Sequence, residues 1–284
     1  MRYIEKDMIF PKRGYGRLLA TGDWHIGNSA CHEEGIRNFL KRAARHTWIH
    51  HGDMYEGILA GDKRHDANEH KKTLMECQQF VEKLFKKSVV DTCVGVIVGN
   101  HDMSASRVVG DIISDLCANT GVQYLSGTCF IDYGCPDGTM RQFAAHGSGS
   151  TGGKAGEPER KKTNKQVKLR DILKPFHADV CGMGHIHQGI VTPPVDEERL
   201  TVVDGKVKRG PINVRHGWYY STPSMFKTYP EGNDYPNYAE MKLYSATDLG
   251  WIELIVERDG TIKAIEEYYE SGELKNVNER TVIS

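Results

Sequence analysis

Short apolar runs and amphipathic segments alternate along the first half of the chain. The runs stop at polar loops and predict buried strands, whereas apolar residues at helical spacing predict helices between them. The predicted strands are Arg17–Thr21, Thr47–His50 and Cys93–Val98, and the predicted helices cover residues 32–46, about 68–89 and about 108–119. This alternation predicts an α/β domain with parallel strands and right-handed crossovers.

Strand-like runs dominate the second half of the chain. Two hairpins are predicted, one over Cys129–Ala145 with a Gly-Cys-Pro-Asp-Gly turn and one over Leu200–Lys208 with an Asp-Gly turn. Further strands are predicted at residues 217–221, 239–244, 251–257 and 262–269, before an acidic tail that begins after about residue 270. We therefore expect two sheets, one from each half, in a two-sheet β-sandwich flanked by helices. The pattern shows no linker, so a single domain over residues 1–284 is expected.

Five short polar segments interrupt this pattern, and three of them follow predicted strands. The segments are Asp23-Trp24-His25, Gly52-Asp53, Gly99-Asn100-His101-Asp102, His146-Gly147 and Gly184-His185-Ile186-His187. Ligands of open α/β sheets bind beyond the carboxyl ends of the strands, and residues two apart on an extended strand project to the same side. Seven oxygen and nitrogen donors suit two divalent cations side by side, as in phosphoryl transfer: Asp23, His25, Asp53, Asn100, His146, His185 and His187.

These segments resemble the signature of the calcineurin-like metallophosphoesterase superfamily. That signature reads D-x-H, G-D-x-x-[DE], G-N-H-[DE], an isolated histidine and G-H-x-H. All five blocks occur here in that order between residues 23 and 187, the second of them as Gly52-Asp53-Met54-Tyr55-Glu56. The superfamily fold, a two-sheet sandwich flanked by helices, agrees with the fold that the pattern predicts. The resemblance therefore implies a metallophosphoesterase domain.

The resemblance also implies roles for individual residues. One metal ion would be held by Asp23, His25, Asp53 and His187, and the other by Asp53, Asn100, His146 and His185, so that Asp53 bridges the two. His101 is implied as a catalytic histidine that binds no metal, Asp102 as the carboxylate that orients it, and a hydroxide between the ions as the nucleophile. Oxygen and nitrogen ligands favour manganese, with iron, zinc or nickel as alternatives. Glu56 is left out of the predicted site, because a solvated loop carboxylate explains it equally well.

The context of two blocks bears on the substrate. Asp23-Trp24-His25-Ile26-Gly27 is similar to the D-W-H-[IL]-G form of DNA-repair exonuclease subunits, and Asp102 is the acid found in their third block. This favours a phosphodiesterase or nuclease that acts on nucleic-acid or nucleotide phosphodiesters. A phosphomonoesterase for phosphoproteins or nucleotides is the alternative enzyme, and a non-catalytic scaffold is the alternative class, against which the intact His101 argues.

A basic segment over residues 151–170 follows the isolated histidine and has a net charge of +5. Its basic residues are Lys154, Arg160, Lys161, Lys162, Lys165, Lys168 and Arg170. The segment is either a solvated face or an electrostatic track that guides DNA or RNA towards the site. Residues 147–152 also match G-x-G-x-x-G, but Lys154 to Pro158 do not open a helix cleanly, so a dinucleotide site is not expected.

Composition narrows the remaining function classes. The formal net charge is −1, so the overall charge indicates no polyanionic partner. No apolar stretch approaches the roughly eighteen residues of a membrane span, and no membrane partner is expected. The seven cysteines are scattered without a C-x-x-C pair, which is typical of a reducing compartment. We expect a cytoplasmic protein, and the sequence leaves its oligomeric state open.

Overall fold

The computed structural model of the chain describes residues 1–149, 157–194, 200–203, 206–209, 217–230 and 236–279. The strands are β1 (Arg2–Asp7), β2 (Gly16–Thr21), β3 (Thr47–His50), β4 (Cys93–Val96), β5 (Thr128–Cys135), β6 (Gly138–Ala145), β7 (Val180–Met183), β8 (Ile190–Thr192), β9 (Leu200–Val203), β10 (Lys206–Arg209), β11 (Trp218–Ser221), β12 (Gly250–Val256), β13 (Ile262–Tyr269) and β14 (Leu274–Glu279). The helices are α1 (Glu33–Ala43), α2 (Leu74–Leu84), α3 (Lys87–Val90), α4 (Asn100–Val109), α5 (Ile112–Thr120), α6 (Pro158–Leu173) and α7 (Tyr238–Met241).

Two six-stranded mixed sheets form the centre of the molecule. The first has the order β1-β5-β6-β7-β11-β8, and the second has the order β14-β13-β12-β2-β3-β4. Within the first sheet β6, β7 and β11 are parallel, and within the second β2, β3 and β4 are parallel. Strands β9 and β10 form a separate antiparallel pair. The α/β fold and the two-sheet architecture expected from the sequence are confirmed.

Apolar side chains fill three layers around these sheets. Between the sheets, Leu18 and Leu254 of the second sheet lie in one buried cluster with Ile131 and Val180 of the first. A second cluster lies between the outer face of the second sheet and helices α1, α2 and α5, and a third lies between the first sheet and α6. The arrangement is therefore helix, sheet, sheet, helix, with the ends of both sheets open to a shared edge.

The assignment of one sheet to each half of the chain was wrong. Strand β1 pairs with β5 in the first sheet, and strands β12, β13 and β14 complete the second sheet beside β2. The tail after residue 270 contributes β14 instead of remaining outside the sheets. Each sheet thus combines strands from distant parts of the chain. The single-domain expectation for residues 1–284 stays a prediction.

Local assignments differ where capping or packing overrides the pattern. The helix expected from about residue 68 begins at Leu74, because Thr73 and Glu76 form a capping box that fixes its start. The helix expected over about 108–119 is two helices, since α4 already begins at Asn100 and α5 follows it. Residues 239–244, expected as a strand, contain the short helix α7 instead. Among the described residues, no helix has the length and apolar character needed to cross a membrane.

Candidate metal centre

The predicted ligand residues lie together at the shared edge of the two sheets. Asp23 and His25 follow β2, Asp53 follows β3, and Asn100 opens α4 just after β4. From the other sheet, His146 follows β6, and His185 and His187 follow β7. Parallel neighbouring strands of each sheet thus deliver their carboxyl ends to one place, which brings together residues as distant in sequence as 23 and 187.

Five of these residues have a left-handed backbone. The φ angles are 53° at Asp23, 49° at His25, 52° at Asp53, 72° at His185 and 53° at His187. The spacing of the two D/H-x-H pairs predicted extended backbone, but these residues have left-handed backbone instead. A residue with a Cβ pays roughly 1–2 kcal/mol for this conformation, and such strain concentrates at functional sites. The strained backbone therefore occurs at five of the seven residues that the sequence predicts as metal ligands.

One cluster of ligand atoms contains Asp23, His25 and His187. The two imidazole Nε2 atoms lie 3.1 Å apart, and His187 Nε2 lies 3.3 Å from Asp23 Oδ1. His25 Nδ1 lies 3.0 Å from a Glu56 carboxylate oxygen, so Nδ1 carries the proton and Nε2 presents a lone pair. One potential ligand atom from each of the three residues therefore lies within 4.8 Å of the other two.

A second cluster contains Asp53, Asn100, His146 and His185. His146 Nε2 lies 2.9 Å from Asn100 Oδ1, 3.2 Å from Asp53 Oδ2 and 3.3 Å from His185 Nδ1. His146 Nδ1 donates to the His51 carbonyl at 2.8 Å, which turns its Nε2 towards these atoms. Asp53 contacts this second cluster; its role as a bridge to the first cluster stays a prediction.

Both clusters fit divalent cations by the chemistry of their donors. Buried carboxylates are costly without a counter-charge, and the adjacent imidazoles can supply it only when they are protonated. A divalent cation bound among these oxygen and imidazole donors would supply that charge, and such donors suit manganese, iron, zinc or nickel better than copper(I). The seven predicted ligands are therefore brought together in two groups of donors whose chemistry suits metal binding.

Glycines allow the close approach of these segments. A Cβ built on Gly99 would lie 2.0 Å from Asp53 Oδ1 and 2.2 Å from the Asp53 amide nitrogen. Gly52 has a φ of 94°, and a Cβ there would lie 2.7 Å from His146 Nδ1. Any larger residue at either position would push apart the loops that carry Asp53 and His146.

The pKa shifts of two residues in the second cluster also indicate that it favours positive charge. Burial disfavours a charged His146, but the Asp53 carboxylate outweighs it and raises the pKa of His146 to about 9. Burial likewise opposes ionisation of Asp53, yet the adjacent His146 holds the pKa of this carboxyl well below its usual range. Asp53 therefore stays ionised and favours either a proton on His146 or a cation beside it.

His101 lies beside the clusters and is held by Glu56 instead of Asp102. His101 Nδ1 donates to the Glu56 carbonyl at 2.7 Å and lies 3.5 Å from Glu56 Oε1. Burial lowers the pKa of His101, but the hydrogen bond and charge of Glu56, with the charge of Asp53, raise it to about 9. Glu56 thus contacts both His25 and His101, although sequence reasoning left it out. Its place as the acid of the G-D-x-x-[DE] block was the signal that could have found it.

Asp102 has a different set of partners from those expected. Its carboxylate is fully buried and accepts hydrogen bonds from the backbone amides of Gly99 at 2.9 Å, Tyr55 at 3.0 Å and Met54 at 3.3 Å. None of the hydrogen bonds described for it joins the His101 ring. Burial, with the charge of Asp53, raises the pKa of Asp102 to about 6. The expected role of orienting His101 is therefore corrected: Asp102 fixes the start of α4 against the loop after β3.

A cleft of about 1030 Å³ opens over the clusters. Its wall includes His101, His185 and His187, and Lys161 and Lys165 reach it from α6. Of the basic segment 151–170, residues 151–156 lie outside the described residues, while α6 covers the remainder from Pro158. Lys161 and Lys165 are one helical turn apart and share the face that lines the cleft, whereas Lys162 is exposed. Phe226 and Tyr244 add aromatic surface to the same cleft.

No protein-family model matches the chain, and no curated protein matches it. Among solved structures it is similar to GAP50, described as the anchor in the inner membrane complex of Plasmodium, with 9% identity and a TM-score of 0.46 over 96% of this chain and 90% of that one. It is similar to a metallophosphoesterase from Sphaerobacter thermophilus, with 11% identity and a TM-score of 0.36 over 87% and 85% of the two chains. It is also similar to TT1561 of Thermus thermophilus, with 10% identity and a TM-score of 0.32 over 75% and 92%.

Proposed function

We propose that this chain is a metal-dependent phosphoesterase of the calcineurin-like metallophosphoesterase superfamily that uses two divalent cations. The observation that supports this most is the convergence of carboxylate, amide and imidazole ligand atoms in two adjacent clusters. In each cluster a histidine Nδ1 is engaged by a hydrogen bond, so that its Nε2 is turned towards the other potential ligands. Asp23, His25 and His187 would hold one ion, and Asn100, His146 and His185 the other, with Asp53 between them.

The residues around the clusters have separable chemical tasks. Two bound cations would supply a water of lowered pKa and neutralise charge on a phosphate. His101 is tied to Glu56 through Nδ1, which leaves Nε2 for a substrate oxygen. When it is protonated, this nitrogen can donate a proton to the leaving oxygen. Glu56 keeps both His25 and His101 in the required orientation.

We propose phosphodiesters of nucleic acids or nucleotides as the substrates. Lys161 and Lys165 line the cleft beside the clusters, where they can pair with phosphates outside the one that reacts. The aromatic rings of Phe226 and Tyr244 offer surfaces on which bases can stack. A substrate that carries both phosphates and bases uses all of these features, whereas a phosphoprotein uses only the clusters.

Hydrolysis of two chromogenic esters tests this proposal. We expect the manganese-loaded protein to hydrolyse bis-p-nitrophenyl phosphate, and to do so faster than p-nitrophenyl phosphate, with both activities lost after chelation. Faster hydrolysis of the monoester would assign the chain to the phosphomonoesterases instead. Bound metal without hydrolysis of either ester would identify a scaffold that has kept the fold but not the reaction.

A further inference from the structure

A row of buried polar side chains runs through the core directly behind the metal centre. Tyr133 of β5, Gln142 of β6 and Tyr220 of β11 come from the first sheet, and His51 follows β3 of the second. All four are fully buried. Buried polar groups in an apolar core are costly unless they are paired, so their placement beside the metal centre requires an explanation.

The four side chains form one continuous hydrogen-bonded row. The Tyr133 hydroxyl donates to Gln142 Oε1 at 2.6 Å, and Gln142 Nε2 donates to the Tyr220 hydroxyl at 2.6 Å. The Tyr220 hydroxyl lies 2.9 Å from His51 Nε2, so the row ends at an imidazole ring. We call these four residues the Tyr133 row.

The direction of the row fixes the tautomer of His51. The other ring nitrogen, His51 Nδ1, lies 2.9 Å from the carbonyl oxygen of Ala145, which can only accept. Nδ1 therefore carries the proton, and because none of the hydrogen bonds described for this ring involves a carboxylate, the ring is neutral and its Nε2 accepts. The Tyr220 hydroxyl must then donate its proton to His51 Nε2. This agrees with the other bond of that hydroxyl, in which its oxygen accepts from Gln142 Nε2.

His51 and the segment 145–146 hold each other by two reciprocal hydrogen bonds. The His51 ring donates to the backbone of Ala145, and the His146 ring donates through Nδ1 to the His51 carbonyl at 2.8 Å. The second bond determines which nitrogen of His146 faces Asp53 and Asn100. Any rotation of the His51 ring shifts Ala145 and with it the neighbouring His146.

We propose that the Tyr133 row is a positioning device for His146, which holds its Nε2 in the orientation required for a metal ligand. This inference rests on the proposed function only in that the ligand binds a cation. Outer partners of metal-ligating histidines fix the ring and its tautomer, and their loss typically weakens metal binding about 10- to 100-fold. The Tyr133 row extends that support across the interface between the two sheets.

The test compares three tyrosine-to-phenylalanine variants. Tyr220→Phe removes the donor to His51, and Tyr133→Phe removes the far end of the row. Tyr55→Phe is the matched control, since Tyr55 is 1% exposed and its hydroxyl has no hydrogen-bond partner among the described residues. Each variant is labelled with ¹⁵N-histidine, and the Nδ1 and Nε2 signals of His146 and His51 are recorded on the metal-free protein. Manganese binding is then measured by calorimetry and unfolding by urea titration.

We expect Tyr220→Phe to shift the His51 and His146 nitrogen signals towards a mixture of tautomers and to weaken binding of one manganese ion about tenfold. Tyr55→Phe should leave both readings as in the parent protein. Unchanged signals and an unchanged manganese affinity in Tyr220→Phe would overturn the proposal, whatever the loss of stability. If Tyr220→Phe does not fold, Tyr133→Phe decides by the same two readings. A parent protein that binds none of manganese, iron, zinc and nickel would refute the proposed function, while the metal-free spectra would still decide on the Tyr133 row.

Discussion

At the scale of single residues, Asp102 and Glu56 have different partners in the structure, although each is the acidic residue that ends a block of the sequence signature. Asp102 is adjacent to His101 in sequence, yet its carboxylate accepts from three backbone amides. Glu56 is 45 residues from His101 and supplies both the carbonyl and the carboxylate beside its ring. The ligand types could be predicted from the sequence because metal chemistry needs those side chains at strand ends. The partner of His101 could not, because it depends on how the loop after β3 folds back.

His101→Ala is expected to lower turnover of a diester on the order of 10²–10⁴-fold, since the variant has no group to protonate the leaving oxygen. Its metal content should stay near that of the parent protein, because His101 lies outside the two ligand clusters described above. Turnover is measured with bis-p-nitrophenyl phosphate and metal content by elemental analysis. A fall in bound metal would instead make His101 a ligand.

We expect Glu56→Ala to lower metal affinity and turnover, and Asp102→Asn to lower the free energy of unfolding. Loss of the Glu56 carboxylate frees Nδ1 of His25, whereas His101 keeps its hydrogen bond to the backbone carbonyl of residue 56 and loses only the charge beside its ring. Metal affinity should therefore fall about 10- to 100-fold, and turnover should fall with it. Asp102→Asn weakens the acceptor for three amides and should cost about 1–3 kcal/mol of unfolding free energy with little change in turnover at saturating metal. Urea titration, calorimetry and diester hydrolysis on both variants check this. A larger loss of turnover in Asp102→Asn than in Glu56→Ala would restore the assignment made from sequence.

At the scale of elements, the basic segment becomes a helix with two different faces. Charge counting predicted a positive stretch near the site, and the described part is helix α6, of which only some lysines reach the cleft. Helix α4 illustrates the opposite case, since its first turn was taken for a loop. Its start is fixed partly by amides 47 and 48 residues away in sequence. A local pattern can indicate the bond from the Gly99 amide three residues away, but it contains no information about these distant amides.

The double variant Lys161→Glu and Lys165→Glu tests the cleft face of α6. Cleavage of an oligonucleotide should fall and depend less on salt, because fewer counterions are released when the polyanion binds. Hydrolysis of bis-p-nitrophenyl phosphate should hardly change, because that ester carries no phosphate besides the one that reacts. Both substrates are assayed across a range of salt concentrations.

The matched control for this prediction is Lys162→Glu with Lys168→Glu, which changes the charge equally on the exposed face of the same helix. If the control loses as much oligonucleotide cleavage as the cleft-face variant, the effect comes from overall charge and not from the cleft. Equal loss on both substrates in the cleft-face variant would indicate damage to the metal centre.

At the scale of the whole molecule, strand order was the least predictable feature. The hairpin of β5 and β6 could be predicted, since both strands and their turn lie within one short segment. The pairings of β1 with β5 and of β12 with β2 join residues more than 120 apart in sequence. Alternation of apolar and polar residues shows which residues face the core but not which strand lies alongside. The presence of two sheets could therefore be predicted, but which strands form each sheet could not.

A buried ion-pair network secures one of these distant pairings. Glu253 of β12 is fully buried and contacts Arg17 of β2 at 2.7 Å, Arg42 of α1, and the Trp251 indole nitrogen at 2.9 Å. Glu253→Ala should lower the free energy of unfolding by about 3 kcal/mol, the low end for breaking a buried ion pair, because both arginines are partly exposed. Asp171→Ala, which removes an exposed pair with Lys174, should change it by less than about 0.5 kcal/mol. Urea titration checks both, and equal effects would refute the role given to Glu253.

The position of β12 between β2 and β13 has a consequence for the order of events during synthesis. Every predicted ligand has been synthesised once residue 187 is added, but one side of β2 has no neighbour until residues 250–256 follow. Until then the nascent chain presents an unpaired strand edge and the uncovered apolar side chains of Leu18 and Ala20, both of which favour aggregation. The complete set of predicted ligands is thus synthesised well before the strand that completes the scaffold around it.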